Sequence, residues 1–239
     1  MNIDCSGKIV VVAGGTGGLG RAISQAFINE GATTVVTYRK EEEFLALKDA
    51  AGSNQSLLEG HPVDVTNESA AAALISQVLS EHGTIDALVN AVGGYAGGVN
   101  LWDTSTATLD QMLALNLRSG YALVRAVLPA MLKAHHGSIV NVAAKAAFDH
   151  GAGAGAYAAS KAAAVVLMDS LAADCKGTGV RVNSILPSII DTVANRKAMP
   201  DADFATWPEP QDIAQAILFL SSDSAKTIHG AAIPVYGNS

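Results

Sequence analysis

The sequence runs to 239 residues, 49% of them hydrophobic and 15% charged, with a formal net charge of −7. A sizeable core is available, and the acidic balance excludes a surface built to neutralise a phosphate backbone while leaving room for a local basic site that holds one small anion. Cys5 and Cys175 stand far apart and the six histidines form no HxxxH or Cys/His cluster. Neither a structural metal nor a disulfide is therefore expected, and the cysteine usage suits a reducing compartment. No apolar run approaches the ~18 residues of a membrane span, and residues 1–8 lack the charged and apolar regions of a signal peptide. The expectation is a cytoplasmic protein that binds neither nucleic acid nor membrane.

Along the chain, short β-branched runs alternate with longer helical patterns, the signature of a parallel sheet with helices on both faces. Residues 8–13 predict a first strand and 19–30 its helix. Between them lies Gly14-Gly15-Thr16-Gly17-Gly18-Leu19-Gly20, five glycines in seven residues. Glycine permits positive φ and close approach of the backbone to a pyrophosphate, and a helix N-terminus offers free N–H groups and positive potential. The spacing Gly14-x-x-x-Gly18-x-Gly20 differs from GxGxxG but occupies the same strand–turn–helix junction. Gly14, Thr16, Gly17, Gly18, Leu19 and Gly20 are the expected phosphate cradle.

Residues 34–38 predict a second strand and 41–50 a charged outer helix. Sites that choose NAD usually carry an acidic residue at the end of this strand, for the ribose 2′-hydroxyl. This chain has Tyr38, then Arg39 and Lys40. A guanidinium holds a 2′-phosphate in charge-assisted, bidentate geometry, so NADP(H) is favoured over NAD(H). The alternative is that Arg39 is a solvated charge in the Arg-Lys-Glu-Glu-Glu run. A third strand at 57–62 leads to Asp64-Val65, and after a helix at 68–82 a fourth strand at 86–90 leads to Asn90-Ala91-Val92-Gly93. Both sit at C-terminal strand ends, the ligand-binding edge of such a sheet. Asp64 is placed to accept a hydrogen bond from an adenine amino group, or simply to cap a helix or turn.

A long helix at 108–133 and a fifth strand at 138–142 follow, then a helix over 157–176, a sixth strand at 180–186, an irregular lobe at about 191–210, a helix at 211–220 and a last strand at 232–235. Tyr157 and Lys161 are four residues apart near a helix start, so they share one face. A cation beside a phenol lowers its pKa from about 10 and makes it a usable proton donor or acceptor. No interdomain linker or internal repeat is visible. Residues 1–239 are read as one doubly wound α/β domain, with 191–210 as its small substrate lobe.

Taken in order, Gly14-x-x-x-Gly18-x-Gly20, Asp64, Asn90-Ala-Val-Gly, Asn116, Tyr157-x-x-x-Lys161 and Pro187-Ser-Ile-Ile-Asp-Thr192 resemble the short-chain dehydrogenase/reductase family over essentially the whole chain. The resemblance implies a Rossmann-like parallel seven-stranded sheet of order 3-2-1-4-5-6-7. It implies Tyr157 as general acid or base, with Lys161 bonding the nicotinamide ribose and lowering the tyrosine pKa. Asn116 would shape the long helix and hold a water that relays protons to Lys161. Pro187, Ile190 and Thr192 would line the nicotinamide carboxamide and pyrophosphate side, with Ser188 replacing the family's usual glycine. A homodimer or homotetramer, formed through the two long helices, is also implied.

One departure stands out. The family places a serine about thirteen residues before the tyrosine, where its hydroxyl polarises a substrate carbonyl; here that position is Ala144. Losing such a donor can remove a few kcal/mol of transition-state stabilisation. The segments 144–149, 92–98 and 195–207 are similar to the dihydropteridine reductases, a subgroup that also carries alanine there and whose electron-poor ring accepts hydride without that hydroxyl. Tyr95 is then a stacking platform for a flat pterin, or a loop tyrosine packed on its own turn. Ala144 would face the substrate; Lys145 is either a replacement donor or a solvent-facing lysine, Asp149 and His150 are either substrate-facing or plain residues of the loop before Tyr157, and Phe204 and Trp207 would anchor the lobe. The remaining readings are an NADP-dependent carbonyl or quinone reductase, in which water or Lys145 replaces the hydroxyl, and a non-catalytic NADP(H)-binding sensor.

Overall fold

The β-branched runs become strands because their side chains pack well on a pleated, two-sided sheet. They are Ile9–Ala13 (β1), Thr33–Thr37 (β2), Leu58–His61 (β3), Ala87–Asn90 (β4), Gly137–Val142 (β5), Val180–Pro187 (β6) and Ala232–Val235 (β7). The structure is a computed structural model that describes residues 3–238; Met1, Asn2 and Ser239, the ends of the expected 1–239 unit, lie outside them. All pairings are parallel, in the order β3-β2-β1-β4-β5-β6-β7. The expected doubly wound sheet is present.

Alternate residues point to opposite faces. Val10, Val12, Val36, Val140 and Ile185 meet helices Gly18–Asn29 (α1) and Pro210–Ser221 (α8), with Leu47 of Glu41–Ala50 (α2). Val11, Val35, Leu88, Ile139 and Val182 meet Glu68–His82 (α3), Ser119–Ala134 (α5) and Gly155–Asp174 (α6). Two cores, one on each face, hold the sheet rigid. Its register then sets the site: Ala13 pairs with Asn90, Asn90 with Asn141, and Asn141 with Ser184. β1 and β4 therefore end side by side while β5 and β6 run on to Val142 and Pro187, and the loops that follow all four leave from the same edge of the sheet.

Three expectations needed adjustment. The long helix is two α-helices, Thr106–Leu113 (α4) and α5, joined by a single π-helical turn at Ala114–Arg118. The wider turn aims the buried Asn116 inward, and Ser119 Oγ donates to the Leu115 carbonyl at 2.7 Å. The lobe at 191–210 is less irregular than expected, since it contains Val193–Ala198 (α7) and a 3₁₀ turn at Phe204–Thr206. Finally, α6 has the length and composition of a membrane span, which the sequence reading passed over. Its buried side chains, among them Ala164, Val165 and Met168, pack within the protein; this apolarity serves a core helix.

Candidate active site

The glycine loop needs glycine at its tightest points. Gly14 has φ +74°, and a Cβ on Gly20 would overlap the Gly14 carbonyl oxygen. Gly17 caps α1 without a side-chain hydrogen bond, and no acidic residue occupies the first turn. The N–H groups there are left for an anion. A Cβ on Gly18 would stand 3.1 Å from Thr192 Cγ2, so the loop after β6 closes over the cradle. Thr192 accepts from Asn195 N at 3.2 Å as the α7 cap, and Asn195 Nδ2 donates to the Ile190 carbonyl at 2.8 Å. Ser188, in place of glycine, donates to the Tyr236 carbonyl at 2.8 Å. The loop is tied to the end of β7.

The cleft beside the cradle is lined by Gly14, Thr16, Gly17, Arg39, Asp64 and Val65, together with Ala91 and Gly93 from the loop after β4. Arg39 is exposed at its mouth. Thr66 donates to Asp64 Oδ1 through N–H at 3.0 Å and Oγ at 2.7 Å, and these bonds hold the carboxyl below its ordinary range. Asn90 Nδ2 donates to Asn141 Oδ1 at 3.0 Å, which braces the strand ends.

At the other end of this edge stand Tyr157, Lys161 and Asn116. Lys161 is 5% exposed and its Nζ donates to the Val142 carbonyl at 3.0 Å. Burial pushes its ammonium down to about 8. Asn116 Oδ1 accepts from Gly94 N at 2.9 Å, while Nδ2 donates to the Gly94 carbonyl at 3.0 Å and to Ser160 Oγ at 2.9 Å. Gly93 threads between the two: a Cβ there would lie 2.9 Å from Asn116 Oδ1 and 3.1 Å from Lys161 Nζ. A side chain at this point would push on both groups, so glycine lets the loop after β4 pass beside the lysine without displacing them. The uncapped N-terminus of α1 beside the cleft fits the pyrophosphate of a dinucleotide.

The expected lowering of the tyrosine pKa is not what the structure shows. Burial pushes the Tyr157 phenol up to about 12, and Tyr95 adds to the shift. Lys161 turns its ammonium to the Val142 carbonyl, so the phenol's titration is governed by the apolar surroundings. The Tyr95 ring meets the Tyr157 ring edge to face at 5.0 Å, with an interplanar angle of 73°. Tyr95 is itself 69% exposed, so it presents a face beside the phenol.

Ala144 is buried at the start of the loop after β5. Lys145 is turned to Asp149, 3.6 Å away, and lies over the Tyr236 ring at 5.2 Å. His150 Nε2 donates to the Ala147 carbonyl at 3.1 Å. In the lobe, Trp207 is buried and packs on Phe204 at 5.0 Å, while Arg196 covers the Phe204 ring at 4.8 Å and bonds Asp191 through Nη2 at 2.6 Å. Three groups that matter here escaped the sequence reading. Ser160 and the Val142 carbonyl could not be found from spacing. Glu43, which bonds Thr16, was passed over inside a charged run. Elsewhere, Glu59, Glu81 and His82 bring ligand atoms within 4.8 Å of one another, a grouping that includes the His82–Glu59 pair at 3.0 Å.

Residues 8–203 match the model of the short chain dehydrogenase family. A D-threitol dehydrogenase of Mycolicibacterium smegmatis is 34% identical over 97% of this chain and 92% of its own length. Among solved structures, ElxO with NADP bound superposes with a TM-score of 0.91 at 23% identity, over 96% of this chain and 97% of that one. An NAD⁺-bound xylitol dehydrogenase gives 0.89 at 22% identity, over 98% and 99%.

Proposed function

The chain belongs to the short-chain dehydrogenase/reductase family of oxidoreductases, and from that premise we propose that it reduces a quinonoid dihydropteridine with NAD(P)H, with NADP(H) favoured through Arg39. The observation that carries this reading is Ala144 combined with Tyr157 and Lys161 in one chain. The family's carbonyl-polarising hydroxyl is missing, and Lys145 is committed to Asp149 and Tyr236 rather than turned to replace it. A ring that is already electron-poor tolerates that loss better than a ketone does.

The nucleotide, when bound, supplies the hydride. Tyr157 is a neutral phenol at neutral pH, and burial holds its proton still more firmly, which is the form a reduction needs. Lys161 orients the ribose, and Asn116 keeps Gly93 and Gly94 against the lysine. The exposed face of Tyr95 is the surface on which a flat ring would stack. Residues 1–239 act as one catalytic unit, with 191–210 as the substrate lobe, in a cytoplasmic homodimer or homotetramer.

The test is steady-state turnover of quinonoid dihydropterin with NADPH and NADH in parallel. The native chain should consume both substrates, and Tyr157→Phe should lower kcat by roughly 10²-fold or more while nucleotide binding persists. Absence of pterin turnover by folded, nucleotide-binding protein ends the substrate reading. The D-threitol dehydrogenase relative favours one second reading, a carbonyl or quinone reductase in the same cleft. Faster turnover of ketones than of pterin would establish it.

A further inference from the structure

We propose that Glu43 sets the choice between phosphorylated and unphosphorylated nucleotide, as a carboxylate that opposes Arg39 at the adenosine 2′ position. This rests on the cleft being a dinucleotide site. The expected acidic residue is missing from the end of β2, where Tyr38 stacks instead on Phe44 at 4.9 Å. A carboxylate reaches the same cleft from the next element. Glu43 lies in the first turn of α2 and lines the cleft together with Thr16 and Arg39. Its Oε2 accepts from Thr16 Oγ1 at 3.3 Å, which fastens the carboxylate to the glycine loop. Lys40 stands 3.4 Å from its other oxygen, as an exposed ion pair.

A ribose seated between the glycine loop and the end of β2 faces both signs of charge. A free 2′-hydroxyl is a donor, and the Glu43 carboxylate is an acceptor for it. A 2′-phosphate is a dianion: Arg39 attracts it and Glu43 repels it. Lys40 does not cancel the repulsion, since an exposed pair is a weak and screened interaction. The two opposed residues make the native chain favour NADP(H) by a smaller margin than Arg39 alone would give, so that NADH is still used. Charge balance in the cleft, rather than one residue at a strand end, decides the preference.

The measurement is equilibrium binding of NADPH and of NADH to the full chain by titration calorimetry, for the native protein, Glu43→Gln, Glu43→Ala and Arg39→Ala. Glutamine removes the charge but keeps an acceptor for Thr16. Glu43→Gln should raise the NADPH:NADH affinity ratio by about fivefold, the size of one partly screened charge interaction, and 1 M salt should erase most of that gain. Arg39→Ala should move the ratio the opposite way. An unchanged ratio in Glu43→Gln, with Glu43→Ala weakening both nucleotides alike, would show that Glu43 only braces the glycine loop and would overturn the proposal. A native chain that binds neither nucleotide overturns the reading of the cleft itself, a different result from an unchanged ratio.

Discussion

Lys161 is a long cationic side chain enclosed by the protein, with the Val142 carbonyl as its partner. Burial disfavours its charge, so its folded pKa lies near 8, below the ordinary 10.5. Between those values the unfolded chain binds more protons than the folded one, and stability rises with pH across that window. Below about pH 8 the full cost of burying the ammonium is present; above about 10.5 it is gone. Lys161→Met removes this contribution. Urea unfolding of both proteins at several values between pH 8 and 10 should show the native chain gaining stability relative to the variant as pH rises. Measuring the difference cancels Cys5 and Tyr157, whose raised values act with the opposite sign from about pH 9 and about pH 10 upward. A constant difference across the window would refute the assignment.

The element that carries the site is the α4–π–α5 helix. An uninterrupted α-helix would present a different register after Leu113, whereas the π turn brings Asn116 against the loop after β4. Its carboxamide bonds both the N–H and the carbonyl of Gly94, and a third bond reaches Ser160 on α6. One side chain therefore joins a helix, a loop and a second helix. Asn116→Ala leaves the part-buried N–H and carbonyl of Gly94 and the buried Ser160 hydroxyl short of partners, which should cost about 1–3 kcal/mol in chemical denaturation. It should also lower nucleotide affinity, because Gly93 then loses its fixed place beside Lys161. Unchanged stability would mean that the loop holds its path without Asn116.

At the scale of the molecule, apolar side chains remain exposed on the long helices: Leu109 at 37%, Tyr121 at 46% and Val166 at 67%. The proposed assembly of copies through these helices would cover them. Val166→Glu places a charge on that face and should shift the sedimentation profile toward smaller species at micromolar concentration, with the circular dichroism unchanged. A native chain that sediments as a monomer contradicts the assembly.

Much of this was legible before any coordinates. Strand runs, the glycine loop and the Tyr157–Lys161 spacing are local patterns, each governed by residues close together in the chain, and the parallel sheet follows from their alternation. Ala144 is likewise a fact of sequence, and it carries the proposed substrate class. What the tertiary structure decided involves partners distant in the chain. Spacing alone set Lys161 beside the Tyr157 phenol, but burial and the Val142 carbonyl govern the lysine, and the phenol titrates high. The family motif singles out Asn116, but its bonds to Gly94 and Ser160 depend on a π turn that hydrophobic periodicity does not reveal. Glu43 read as one charge in a solvated run, and only the packing of α2 against the glycine loop puts its carboxylate on Thr16. Local spacing specifies which groups the chain owns; the environment that sets their charge and reach exists only once distant elements have packed.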